Sequence, residues 1–546
     1  MPCSSSPVSI REDERDESAD CEPDSKVPME SFVDLKASSE SQMAAAVKIL
    51  LRGIGEDVER EGILKTPLRV AKAFQSFVSG YGLTPEAIIG EALFTVAGTD
   101  GGAGGGLGGM VVVRKIDSFA LCDTCLLPFR LRSHVAYIPT GQRVVGLSKL
   151  PRVVSMLSKR LQNPQKLGNE LVQALHDSFG PLGVAAAVES WHLEWPGTAD
   201  RNGSPTGGGC PEDRLGFGWV PTTVYAARGK FESVQTSLWD EFLGIVEIDG
   251  IEIQKPSLEM INSSPGKDKS CPFFAYSGNA ECHDSIGALT QAVESLVCAE
   301  GEQIIISRKD LELTISRYVN WLVSATEGSK TGDVCNGIHH GEWNGISNGY
   351  SDGTVHTVPS NILDDYSKEK RRSSDNGVNS STDGCLHFET PRVPSLDDRA
   401  GSLSSFELDL PLSSLCEHHL LPFSGVAHVG YVGGKGKLER LLVLKIVRMF
   451  SRRLQVQERL TRQIAESIAS LADFPCIMVV VEANHMCIVS RGVEKLGSTT
   501  ATVATVGKLA NEEAQRAAFL KMISKKGAKR TNFCEIRLPL TGPHSF

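Results

Sequence analysis

Apolar residues recur at helical spacing in MAAAVKILLRGIGEDVEREG, from Met43, and again in LRVAKAFQSFVSGYG. The second stretch follows Lys65-Thr66-Pro67, which puts proline where a first helical turn tolerates it. After a glycine-rich spacer, MVVVRKIDSFALCDTCLLPFRLRSHVAYIP predicts two strands around a turn holding Cys122-Asp123-Thr124-Cys125. A basic amphipathic helix (GLSKLPRVVSMLSKRLQ), a further helix to about Gly180 and an apolar strand (GVAAAVESWHLEW) complete the pattern.

The same order recurs. LLPFRLRSHVAYI at 126–138 lines up with LLPFSGVAHVGYV at 420–432, and Lys149, Arg152 and Arg160-Leu161-Gln162 line up with Lys445, Arg448 and Arg453-Leu454-Gln455. Glu189-Ser190-Trp191-His192 matches Glu482-Ala483-Asn484-His485. One domain is therefore present twice. The expected division is a disordered acidic tail at 1–38, a first repeat at 39–250, a linker at 251–274 and a second repeat at 275–546. Within the second repeat, 327–402 is rich in Gly, Ser, Asn and Asp and is expected to be a disordered insertion.

Composition narrows the function classes. At 546 residues and 41% hydrophobic content the chain exceeds one ordinary core. A net charge of −10 argues against general nucleic-acid binding, so an anionic substrate must meet a local basic cluster. The 14 cysteines lack the density of a disulfide scaffold, which favours reduced thiols and a cytoplasmic setting. The N-terminus lacks the apolar region of a signal peptide, and no run of about 18 apolar residues predicts a membrane span.

The chemistry concentrates in Cys416-Glu417-His418-His419 and His485-Met486-Cys487. If PCIMVVVEANHMCIV is a buried strand, His485 and Cys487 face one way, and a turn beside it brings Cys416, His419 and Cys487 together. Three N/S ligands with an open fourth position is how a catalytic Zn2+ is held, whereas structural sites complete four protein ligands. His418 and His485, left unbound, are suited to moving protons near neutral pH. Lys445 and Arg448 share a helical face, and with Arg491 they are candidates for phosphate binding rather than a merely solvated basic face. Gln457-Glu458 opens VQERLTRQIAESIASL, where the carboxylate either favours a first helical turn or accepts N–H bonds from a purine or pterin edge.

In the first repeat Thr124, Cys125 and Glu194 replace His418, His419 and Cys487, so only Cys122 and His192 persist. Cys122-x-x-Cys125 is readable as a redox pair or half a structural zinc site, but two ordinary half-buried thiols are favoured. Conversely, Ser148, Lys149 and Arg152 are intact there, while Leu444 stands where the first repeat has Ser148. Glu312 falls near the place of Arg69.

CEHHLLPFSG, the RLQVQERLTRQIA run, H-x-C followed by SRGV, GLSKLPRVV and KTPLRVAKA together resemble GTP cyclohydrolase I, and the tandem order resembles the plant form of that family. The resemblance implies an α+β architecture of tandem tunnelling-fold (T-fold) domains, with an antiparallel sheet and helices on one face, assembled as a homodimer or higher homo-oligomer. It implies hydrolysis of GTP to formate and 7,8-dihydroneopterin triphosphate, the entry to folate and pterin synthesis. By that pattern Cys416, His419 and Cys487 hold zinc, His418 and His485 transfer protons, and Gln457 and Glu458 hold guanine. Basic residues, with the Ser148-Lys149-x-x-Arg152 cluster among them, hold the triphosphate. The expectation is then that 275–546 supplies the metal and guanine half of each site and a first repeat supplies Ser148, Lys149 and Arg152 across an interface. A zinc-stabilised, non-catalytic nucleotide-binding scaffold is the rival reading; a zinc deaminase is disfavoured because H-x-E…P-C-x-x-C spacing is absent.

Overall fold

The structure is a computed structural model that describes residues 39–95, 109–141, 143–195, 218–233, 237–248, 253–263, 271–275, 286–299, 307–329, 405–431, 438–471, 476–492, 498–507 and 513–527. The tail at 1–38 and nearly all of the expected insertion, beyond Ser329, lie outside them.

The first repeat runs α1 (Ser39–Gly53), α2 (Thr66–Val78), α3 (Pro85–Ile89), β1 (Leu93–Thr95), β2 (Val111–Cys122), β3 (Pro128–Ile138), β4 (Arg143–Val145), α4 (Lys149–Ser158), β5 (Leu161–Gln162), α5 (Pro164–Phe179), β6 (Gly183–Glu194), β7 (Gly218–Gly229) and α6 (Leu238–Glu247). The second runs α7 (Ile286–Cys298), α8 (Arg308–Thr326), β8 (Ser405–Cys416), β9 (Pro422–Tyr431), α9 (Arg440–Ser451), β10 (Leu454–Gln455), α10 (Gln457–Leu471), β11 (Cys476–His485), the single turn α11 (Met486–Val489), β12 (Thr500–Gly507) and α12 (Glu513–Gly527).

Each repeat builds one five-stranded sheet, in the orders β5-β2-β3-β6-β7 and β10-β8-β9-β11-β12. The long strands are antiparallel, and the two-residue β5 and β10 pair in parallel with the ends of β2 and β8. Both sheets break register at one place, between Val113 and Ile116 and between Glu407 and Leu410, where Lys115 and Asp409 carry a positive φ. A bulge kept in both copies confirms the duplication in three dimensions. The outer strands β7 and β12 carry no strong apolar alternation and were not singled out by the sequence pattern.

The helical hairpins are exchanged. α1 packs on its partner α2 and equally on α7 of the other repeat. Val47, Leu50 and Leu51 of α1 and Leu289, Val293 and Leu296 of α7 are buried in one apolar cluster. At the far end each hairpin returns to its own repeat, at the C-terminal end of α4 or α9: Gly80 N–H donates to Lys159 O at 2.8 Å, as Gly328 N–H does to Arg452 O. A Cβ on Gly80 would stand 2.0 Å from Met156 O, and one on Gly328 would stand 2.5 Å from Met449 O, so both approaches need glycine.

The described part of the expected linker packs on the first repeat. Ile261 bridges Tyr225, and the Asn262 side chain bonds both ways with the Ala227 backbone, at 2.9 Å each, so this segment covers the outer edge of β7. Among the described residues no helix is long and apolar enough to cross a membrane.

Candidate active site

Cys416 ends β8, and the next three residues form a tight turn closed by Leu420 N–H to Cys416 O and Cys416 N–H to Leu421 O, both 2.9 Å. Leu420 takes φ 51°, a costly conformation for a branched side chain, and its burial against the core holds it there. Glu417 N–H reaches Gln455 O of β10, which fixes the turn to the sheet.

The strand expected to carry both His485 and Cys487 stops at His485, and Cys487 lies in the helical turn α11. Helical winding, not strand alternation, therefore delivers this thiol. Cys416 Sγ lies 3.9 Å from Cys487 Sγ and 3.8 Å from His419 Nδ1. Sulfur at about 2.3 Å and nitrogen at about 2.0–2.1 Å from a tetrahedral ion would be separated by about 3.6–3.8 Å, close to both distances from Cys416, and all three donor atoms lie within 4.8 Å of one another. The Cys487 thiol, donating to Cys416, holds the Cys416 pKa well below its ordinary value against the opposing effect of burial. The same contact pushes Cys487 up.

His485 stacks on Phe423 at 4.5 Å, and its Nε2 lies 2.8 Å from Gln457 Oε1. The Gln457 amide nitrogen faces three acceptors, Val481 O, Thr500 O and Thr502 Oγ1, at 2.9–3.1 Å. Its oxygen must therefore be the acceptor toward His485, which places the imidazole hydrogen on Nε2 and leaves Nδ1 able to take a proton. Arg491 donates from Nε to Cys487 O at 2.7 Å, and its Nη2 stands 3.2 Å from His419 Nε2.

Residues of the first repeat complete the turn. Thr66 Oγ1, at the start of α2, donates to Glu417 O at 2.8 Å. The buried Glu417 carboxylate accepts from Arg60 at 3.1 Å and from Arg459 at 2.6 Å. The neighbouring Cys416 raises the His418 pKa against partial burial; the charge of Glu417 adds to this, and Arg69 of α2 opposes it.

Comparison with known proteins agrees with this construction. The profile of the GTP cyclohydrolase I family matches residues 43–195 and 406–524. GTP cyclohydrolase 1 of Solanum lycopersicum is 37% identical over 487 residues, 88% of this chain and 92% of the relative. The chain belongs to the GTP cyclohydrolase I family. GTP cyclohydrolase 1 of Arabidopsis thaliana is 34% identical over 89% of this chain and 91% of its own length. The Campylobacter concisus GTP cyclohydrolase 1 is 44% identical over 148 residues, 27% of this chain and 73% of its own. Plant members of the GTP cyclohydrolase I family are thus matched across both repeats, which fits the tandem T-fold α+β architecture.

Of the residues expected to form a GTP cyclohydrolase I site, the structure gathers Cys416, His418, His419, Gln457, His485, Cys487 and Arg491. Gln457 is buried, with its amide nitrogen on the backbone of Val481 and its oxygen on His485. Glu458 is exposed on the first turn of α10, beside a groove lined by Arg462 and Thr502–Val506. Ser148 and Arg152 are exposed on and before α4, while Lys149 Nζ donates to Ile88 O at 2.7 Å within the first repeat. Lys445 and Arg448 are half-buried one turn apart on α9, and Arg448 borders a small cavity with Trp195 of the first repeat.

Two further expectations need correction. Thr314 Oγ1 donates to Asp123 O at 2.6 Å, mirroring Thr66 on Glu417, so Thr66 and Thr314 are equivalent and Arg317, not Glu312, answers Arg69. Cys122 and Cys125 are fully buried, not half-buried. Arg60, Thr66 and Glu417 were given no role in the site by sequence reasoning, although Thr66 lies in KTPLRVAKA and Glu417 within the Cys416–His419 motif; Arg60 carried no signal.

Proposed function

We propose that the chain hydrolyses GTP to 7,8-dihydroneopterin triphosphate and formate at the site built on Cys416, His419 and Cys487. The carrying observation is a three-donor set of metal-binding geometry flanked by two imidazoles that it does not use. A Zn2+ held by these donors would make a water nucleophilic at neutral pH and polarise the bond it attacks.

The chain's own residues supply the rest. His485, with Nε2–H fixed by Gln457, offers Nδ1 as a base and then as an acid during opening of the imidazole ring of guanine. His418, raised toward protonation by Cys416, donates to the departing nitrogen or formyl group. Glu458 is the carboxylate available for the guanine N–H edge. Arg69 and Arg491 provide positive charge beside the donor set for the triphosphate, with Lys445 and Arg448 further along the second repeat. Ser148, Lys149 and Arg152 serve a neighbouring copy, which the exposed positions of Ser148 just before α4 and of Arg152 on it support and which requires a homodimer or larger homo-oligomer. The exposed outer strand β12, with Val503 51% accessible, is a suitable joining edge. The described cysteines are all free, which suits the cytoplasm.

The test is a GTP assay on the full chain reconstituted with zinc, scoring formate and pterin fluorescence together. Both products are expected, and the Cys416→Ala/Cys487→Ala variant should make neither. Pterin-free, formate-free protein with a full complement of metal, or native turnover by the variant, would refute the assignment. The first of these results would leave the scaffold reading in its place.

A further inference from the structure

We infer that the first repeat holds a second metal ion, a closed structural zinc, on Cys122, Cys125, His192 and Cys271. The four donor atoms lie within 4.8 Å of one another. His192 Nε2 is 3.4 Å from Cys125 Sγ and 3.6 Å from Cys271 Sγ, against about 3.6 Å for the sulfur–nitrogen edge of a zinc tetrahedron. The four residues are 2%, 0%, 4% and 3% exposed, so no side of the group is open to a substrate. Three thiols, none in a disulfide, and the Nε2 edge of an imidazole are thus gathered in the interior.

The surroundings are those of a ligand set. His192 Nδ1 lies 3.1 Å from Leu193 O, a pure acceptor, so the hydrogen sits on Nδ1 and the Nε2 lone pair points at the sulfurs. Phe129 stacks on the ring at 5.6 Å and Phe273 packs at 6.0 Å, which fixes its orientation. Thr124 N–H points at Cys122 Sγ at 3.4 Å, as suits a thiolate. The contrast with the second repeat explains the difference in role. Pro164 stands where Gln457 does and has no side-chain acceptor, so the imidazole equivalent to His485 turns to the sulfurs. The fourth donor comes from outside the repeat pattern. Cys271 begins a short segment to Ala275 that is pinned by the second repeat: Arg317 donates to Phe274 O at 2.8 Å and lies over the Phe274 ring at 5.3 Å. The arginine that answers Arg69 thus holds a plug where the other repeat keeps an opening.

Binding forms three Zn–S bonds and one Zn–N bond and sends the remaining thiol protons to solvent, with no change of oxidation state. The group is therefore a staple joining the first sheet to the linker and, through Arg317, to the second repeat.

The experiment counts zinc in the full chain purified under reducing conditions. Two ions per chain are expected in the native protein. One should remain in Cys416→Ala/Cys487→Ala, and one in Cys271→Ala. Cobalt loaded into the Cys416→Ala/Cys487→Ala protein should show tetrahedral visible bands with thiolate charge transfer, which does not depend on any turnover of GTP. One zinc in the native chain with none in the double variant would overturn the proposal, even if Cys271→Ala failed to fold. So would a disulfide among Cys122, Cys125 and Cys271 in the isolated native protein.

Discussion

Replacing Thr66 by valine removes one hydroxyl and keeps the branched shape. Thr66 is fully buried, and its Oγ1 is 2.8 Å from the carbonyl of Glu417, in the turn between Cys416 and the two histidines. Valine leaves that carbonyl buried without its donor, which costs about 1–3 kcal/mol. If the strain is expressed wholly in the placement of His418 and His419, it corresponds to a loss of about 5–150-fold in rate, at about 1.4 kcal/mol per tenfold. Thr314→Val is the internal control. It makes the same chemical change at the mirrored bond to Asp123 O, 2.6 Å long, beside a turn to which no catalytic task is assigned. Both variants should lower the unfolding midpoint, but only Thr66→Val should slow formate release, with zinc content unchanged. Equal losses of turnover in the two, or no loss in Thr66→Val, would refute the claim that the first repeat's hairpin sets the geometry of the second repeat's turn.

Two further outcomes follow from the same packing. A Cβ on Gly425 would stand 1.8 Å from Glu482 O and 2.6 Å from Ala483 Cα, so Gly425→Ala must part β9 from β11 just before His485. A cost at or above the upper end of about 1–3 kcal/mol is expected, with lost activity, read by thermal unfolding and GTP turnover; a native midpoint would count against the strand register. Glu417→Gln leaves Arg60 and Arg459 facing a neutral group in a buried setting, and should cost about 3–5 kcal/mol by chemical unfolding while the metal count holds. An unchanged midpoint would show that the ion pairs contribute nothing.

Much of this was legible in the chain because it is written locally. Cys416 and His419 are tied by a turn, the long strands alternate, and two copies of one pattern expose each other's losses. What escaped was set by distance and by context. Glu417 meets Arg60 across 357 positions, and no periodicity encodes a contact between different repeats. Cys271 sits in a stretch without helical or strand pattern, so its thiol looked like one among many. His485 and Cys487 were read as one strand because an apolar run does not announce where it starts to wind. The bond of Gln457 to His485 is oriented by three acceptors that only the folded sheet brings near.

The mirrored threonines also bear on how such a molecule evolves. Each half carries, in its opening helices, the finishing piece of its sibling, so a fragment made alone would lack something only the absent fragment owns. Mixed or co-expressed fragments should recover what neither has singly. A copy without the second repeat's three-donor set is thereby kept from deletion, as the frame in which the working copy is held.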